Sequence, residues 1–344
     1  MAAEQEITID LGEEEIAAEE ENDRKEYKVN LPVSKVNAMA QTFLGYIYRM
    51  DDEEARQDLY ELMERFIGQE QQSGSADDFH NFAVELARKD EYGLACQVLE
   101  CGLKLFPKNV DLLSDYLQYG ISCDKGEECK KYYKRLLKIP KRRWTWRGFA
   151  FLVDYLQYII DRSDSEKEMD AKEQEMLQIV ADFRKHFPYS EESYRTEANV
   201  YRVLNMPDQE LEILKAALDQ VQVAPKCALR YADILFERGR YSEAAEAIKR
   251  GISDATQTQS SVNEGYIYYL SALCKIAIAQ KQGAPMDEVA ANEIYSDFNI
   301  ALNKFRDTRS GYSEVIRTKT NTMINKTGVE VDAKYDLLCE CIAG

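Results

Sequence analysis

The chain has 344 residues, 45% of them hydrophobic, with seven prolines and 16 glycines, which allows two or three compact domains or one long repeat array and leaves little room for long irregular segments. A formal net charge of −18 disfavours non-specific nucleic-acid binding by the surface as a whole. No stretch approaches 18 apolar residues, and MAAEQEITIDLGEEE at the start has neither a basic opening nor an apolar run, so no membrane span and no secretory signal is expected, and the expected location is cytoplasmic.

In chain order, residues 1–33 read as an acidic disordered tail. Its first 26 residues carry 11 acidic side chains against 2 basic ones and little that builds a core. Ile7, Ile9 and Leu11 alternate with polar residues there. Such a tail is expected either to contact the rest of its own chain, favoured by effective concentration, or to be a short motif read by another protein. Residues 34–75 read as an N-terminal helix pair, VNAMAQTFLGYIYRM and then DEEARQDLYELMERFIG. The acidic run MDDEEARQD at 50–58 marks the start of a helix, where negative charge complements the dipole and no metal is needed.

The stretch 76–109 spaces Phe79, Phe82, Ala83, Leu86, Leu94, Val98, Leu99 and Leu103 at helical intervals, interrupted near Lys89 and Asp90 and stopped by Pro107. This predicts helix–turn–helix in 34 residues, a pair that cannot bury its outer face alone and must stack on a neighbour. Counting from 76, further units begin at about 110, 149, 191 and 225, so that 76–258 holds five repeats. The pentapeptide DYLQY, present at 115–119 and at 154–158, then falls on the same part of a first helix twice, and Tyr116 and Tyr155 are equivalent packing positions. Residues 259–344 read as a C-terminal helical repeat and cap, with GYIYYLSALCKIAIAQ and EVAANEIYSDFNIALNKF as a pair and 331–342 as a short last helix.

In this register the units resemble the tetratricopeptide repeat family. The unit from 76 supplies Phe79, Phe82, Ala83, Leu86, Ala95, Gly102 and Pro107, that from 225 Tyr231, Ala232, Leu235, Ala244 and Gly251, and that from 191 Tyr194, Ala198, Tyr201 and Ala217. Leu117 and Leu156 replace a small eighth residue, so those two middle units are expected to pack more loosely or at altered angles, and Glu210 occupies another small site. The resemblance implies an all-α fold, an α-solenoid of stacked antiparallel helix pairs in a right-handed superhelix, with the first helices lining a groove. It also implies that ninth-place residues Val84, Gln118, Gln157, Asn199 and Asp233 face that groove. Amides there can both donate to and accept from an extended peptide; the alternative is polar residues on an exposed helix face. Arg195, Asn199, Lys226 and Arg230 partly resemble the carboxylate clamp of some family members. Arg195 stands where a lysine is usual, and the middle repeat with its own asparagine is missing.

Catalytic signatures are sparse. His80 and His186 lack neighbours at metal-ligand spacing, no phosphate loop of the GxxxxGK[ST] type occurs, and the eight cysteines form no CxxC pair and sit mostly in apolar helical contexts. No catalytic residue, metal or cofactor is expected. The chain's strongest local anomaly is 125–149, with 10 basic residues against two acidic ones and both tryptophans. Its members are Lys134, Lys138, Lys141, Arg142, Arg143, Trp144, Trp146 and Arg147. Three readings stand: the tryptophans anchor the core while the cations are solvated, the group holds an acidic protein segment with cation–π support, or it stacks bases and binds phosphates of RNA or DNA. The expected function is a non-enzymatic interaction scaffold, adaptor or regulatory subunit gripping an extended, acidic partner segment. The alternative is a regulatory subunit contacting nucleic acid through 125–149.

Overall fold

The computed structural model describes residues 32–308, apart from 48, 50–51, 68–73, 259–263 and 283–287, together with residue 318. The acidic run at 1–26, the proposed last helix at 331–342 and part of 50–58 lie outside the described residues. The rest folds as fourteen α-helices, α1 (Val33–Ile47), α2 (Glu53–Ile67), α3 (Ala76–Ala87), α4 (Tyr92–Leu105), α5 (Val110–Ser122), α6 (Gly126–Leu137), α7 (Trp146–Asp161), α8 (Glu166–His186), α9 (Glu191–Val203), α10 (Pro207–Gln220), α11 (Pro225–Glu237), α12 (Tyr241–Thr258), α13 (Glu264–Gln282) and α14 (Glu288–Thr308), with a 3-10 turn at Lys141–Arg143. Among the described residues no strand lies between 76 and 258.

Local signals set the helix ends. Ser75 and Asp78 form a reciprocal capping box at the start of α3, and the Asn109 side chain accepts from the Leu112 N–H at the start of α5 (2.9 Å). Pro207 and Pro225 occupy the first turns of α10 and α11, where a missing N–H leaves no bond unmade. Each turn within a hairpin is short, so consecutive helices run antiparallel and pack as pairs.

The pairs stack into an all-α solenoid. Every odd-numbered helix from α1 to α11 touches the next odd-numbered one, whereas among the even-numbered helices only α2 and α4 approach comparably. The odd-numbered layer is therefore the tightly packed, inner one. Tyr116 and Tyr155 are both fully buried, and each reaches back to the second helix of the preceding unit. Tyr116 donates to Glu100 Oε1 on α4 (2.8 Å), and Tyr155 donates to the Gly126 carbonyl at the start of α6 (3.5 Å). Small residues let the pairs close: a Cβ on Gly102 would lie 2.9 Å from Phe79.

The apolar core falls into two clusters, one running from Val33 to Val200 and one from Tyr194 to Ala301. Helix α9 sits between them and buries Ser193, Thr196 and Glu197. Two of them are satisfied: Ser193 Oγ donates to the Phe187 and Ser190 carbonyls (both 2.8 Å), while Glu197 accepts from Arg184 Nε (2.7 Å) and the Tyr201 hydroxyl (3.0 Å). In a stack whose units contact only their neighbours, such a seam lets the two halves respond separately to damage. The departure at Glu210 has a physical reason. Its carboxylate is buried and accepts from Arg230 Nε of the next unit (2.7 Å), so an ion pair fills the space meant for a small side chain.

Candidate partner-binding wall

The ninth-place residues Val84, Gln118, Gln157, Asn199 and Asp233 lie on the odd-numbered helices α3, α5, α7, α9 and α11. Gln118 on α5 and Gln157 on α7 are half-buried, and in both the carbonyl oxygen Oε1 is buried without a donor. The Gln157 amide nitrogen donates to Asp161 Oδ1 one turn on (2.5 Å), which fixes which end of the amide remains unmatched. One turn before Gln118, Asp115 is fully buried; its Oδ2 bonds to His80 Nδ1 of α3 (2.5 Å), and its Oδ1 has no partner. Three unmatched acceptors therefore lie beneath the α5–α7 surface; Asp115 is wholly enclosed, whereas the two half-buried glutamines can turn their amides toward a donor.

Toward α9 and α11 the wall is built differently. Arg195 donates to both oxygens of Glu192 (3.2 and 2.6 Å). Arg230 donates to Glu210 and to Asp233 Oδ2 (3.2 Å). Asn199 accepts from Arg202 through Oδ1, and the N–H groups of Lys226 and Cys227 bond to Glu191. Lys226 is exposed, whereas the two arginines are engaged by carboxylates of their own chain. Burial pushes the Asp154 carboxyl up to about 6, with Arg195 opposing the rise. Of the four residues that partly resemble a clamp, the two arginines thus sit within a charge-compensated network, Asn199 is bonded to Arg202, and the Lys226 side chain is exposed.

The cluster around His80 was not legible in the sequence. The Asp115 hydrogen bond lifts the His80 imidazole above its ordinary value against the effect of burial, and Arg147 opposes while Asp111 adds to the rise. Asp111 in turn accepts from Thr145 Oγ1 (2.5 Å), the residue that precedes α7. Asp115, the D of the first DYLQY, is the sequence trace of this arrangement.

The basic stretch divides in two. Trp144 is buried against Phe149 (ring centroids 5.0 Å apart), and its Nε1 donates to the Ile139 carbonyl (2.9 Å). Arg135 donates to the Pro107 carbonyl (2.8 Å), and Lys141 pairs with Asp182 (2.5 Å). Trp146, by contrast, is 37% exposed in the first turn of α7, with the Arg147 guanidinium 4.7 Å from its ring centre. Lys134, Lys138, Arg142 and Arg143 are exposed on α6 and on the turn that leads into α7. Residues eleven apart on a helix lie roughly 20° from one another, so Trp146 and Gln157 share one face of α7.

Among the described residues no three metal-ligating side chains come together, and no helix is long and apolar enough to cross a membrane. No family model matches the sequence, and no curated protein does. Solved structures similar to it include a thermophilic TPR protein of Thermus thermophilus, at 18% identity over 53% of this chain and 92% of that one, TM-score 0.43. Pseudomonas aeruginosa pilF matches at 15% identity over 67% and 90%, TM-score 0.45, and the APC/C hetero-tetramer Cut9-Hcn1 at 12% over 89% and 57%, TM-score 0.41. In fold the chain is a helical-repeat solenoid similar to tetratricopeptide-repeat proteins.

Proposed function

We propose that the chain is a non-enzymatic, cytoplasmic scaffold or regulatory subunit that holds an extended segment of a partner protein along the odd-numbered helices. The observation that carries this reading is the pair of unmatched carbonyl oxygens on Gln118 and Gln157, at the same place of successive units. A main chain laid across α5 and α7 would meet both half-buried amides, and by turning outward their enclosed oxygens would gain the N–H donors they lack. The Arg147 guanidinium over Trp146, which shares a face of α7 with Gln157, and the exposed Arg142 and Arg143 a few residues earlier favour acidic side chains at one end of that segment. Changing Gln118 and Gln157 together to alanine is expected to weaken partner binding about tenfold, two neutral hydrogen bonds in size, with little change in thermal stability. Unchanged affinity in the double variant, measured by titration with the captured partner, contradicts the reading.

The exposed Trp146–Arg147 stack favours a second reading, contact with RNA or DNA. If it holds, the full chain is retained on heparin with a steep salt dependence, and changing Arg142 and Arg143 to glutamate moves elution to lower salt. Retention that ignores both salt and these changes removes it.

A further inference from the structure

We propose that Cys96 and Cys123 form a reversible disulfide when the chain meets a peroxide, joining the α3–α4 unit covalently to the α5–α6 unit. The two residues are 27 apart in sequence, yet the fold brings their sulfurs to 3.9 Å, with both thiols free. Closing that contact to a bond of about 2.05 Å asks for a movement of roughly 2 Å, which a side-chain rotation at either residue can supply. Cys96 lies in the middle of α4 and is fully buried. Cys123 ends α5: its N–H bonds to the Tyr119 carbonyl (3.2 Å), and the residue is half-buried. The third cysteine of this region, Cys129, is engaged elsewhere, its Sγ against the Tyr116 and Leu117 carbonyls of α5 (3.8 and 3.9 Å).

The first step falls to Cys123, because Cys96 has no exposed surface from which to meet an oxidant. Burial also holds the Cys96 thiol above its ordinary value, with the neighbouring Cys123 adding to the rise and Lys125 opposing it. The Cys123 sulfur attacks one peroxide oxygen, the O–O bond breaks, and the departing hydroxide takes the thiol proton as water, leaving a sulfenic acid. The Cys96 sulfur then attacks the Cys123 sulfur and the S–O bond breaks. The hydroxide that leaves takes the Cys96 proton as a second water. Two thiols are oxidised and one peroxide is reduced. In a compartment that keeps thiols reduced, such a bond is transient, which suits a sensor rather than a permanent brace. Because units of a repeat stack contact only their neighbours, a link from α4 to the end of α5 acts on one seam and leaves the distant units as they were.

The test is peptide mapping of the folded full chain after graded exposure to hydrogen peroxide, with free thiols trapped by iodoacetamide. Trypsin places Cys123 in residues 109–125 and Cys129 in residues 126–130, whereas Cys96 shares residues 90–104 with Cys101. A linked pair of 90–104 with 109–125 is expected, lighter by two hydrogens than the sum of its parts and released by dithiothreitol. Cys96→Ala and Cys123→Ser should each abolish it, and Cys101→Ala should leave it in place. Cys123→Ser, at a half-buried helix end, serves should Cys96→Ala fold poorly. Amide hydrogen exchange in α4 and α5 should slow in the oxidised chain and recover on reduction. The proposal is overturned if Cys123 stays a free thiol or accumulates as sulfinic acid, if it is linked to 126–130 instead, or if the link survives Cys96→Ala.

Discussion

Replacing Arg230 by alanine is expected to destabilise the protein by roughly 3 kcal/mol, the low end for removing one partner of a buried ion pair. Glu210 is 4% exposed and has Arg230 as its ion-pair partner at 2.7 Å. Its carboxylate, left behind, must stay charged in an apolar surround or take up a proton. The Arg230 side chain is about a third exposed, and water entering from that side moderates the loss. Because Glu210 and Arg230 join α10 to α11 within the second core cluster, the damage should be local. Native-state hydrogen exchange should speed up in α10 to α12 and leave α3 to α7 close to the parent. A double variant, Glu210→Ala with Arg230→Ala, should recover much of the loss, since neither charge is then stranded. An Arg230→Ala protein as stable to urea as the parent would show that the pair contributes nothing.

His80→Ala is expected to cost a similar amount in the other half, about 3–5 kcal/mol at neutral pH, because both oxygens of the fully buried Asp115 would then lack a partner. The pair also gives stability a pH dependence with a defined sign. The Asp115 hydrogen bond raises the His80 pKa above 6.5; its contribution is fully present below the unfolded value and is lost as pH rises through the folded one. Burial raises Asp115 above 3.8, with His80 opposing, which acts in the same direction, since the folded state again holds the proton more firmly. Stability of the parent should therefore fall as pH climbs from 6.5 through the raised imidazole value. His80→Ala should flatten that part of the profile, a change seen directly in urea midpoints measured across the range.

These two pairs also show where the sequence stops being informative. Helices and their pairing are written locally: apolar spacing, Pro207 and Pro225 at first turns, Gly102 where helices meet. Both pairs depend on a side chain of one unit reaching a carboxylate of the unit beside it. Glu210 looks like a fault at a small-residue site until Arg230 is seen against it. Trp144 and Trp146, two residues apart and equally aromatic, part company because α7 begins at Trp146 rather than near Phe149. Trp144 then lies just before the helix, where its ring turns inward against Phe149 and its N–H finds the Ile139 carbonyl. Arg195 and Arg230 have the residue type of a groove ligand, but Glu192, Glu210 and Asp233 already surround them. Composition and spacing report which residues can bind; they do not report which are already bound to the chain itself.

The claim that the inner layer of helices does the gripping is tested most directly by site-specific photo-crosslinking in nuclease-treated lysate. Benzoylphenylalanine would be placed singly at Gln118 and Gln157 on the inner wall, and at Lys130 and Lys167 on the exposed faces of α6 and α8. The account predicts one shared crosslinked protein from the inner positions, mapping to an extended segment, and none of it from the outer ones. Crosslinks to a common partner from Lys130 and Lys167, with the inner positions silent, would contradict it.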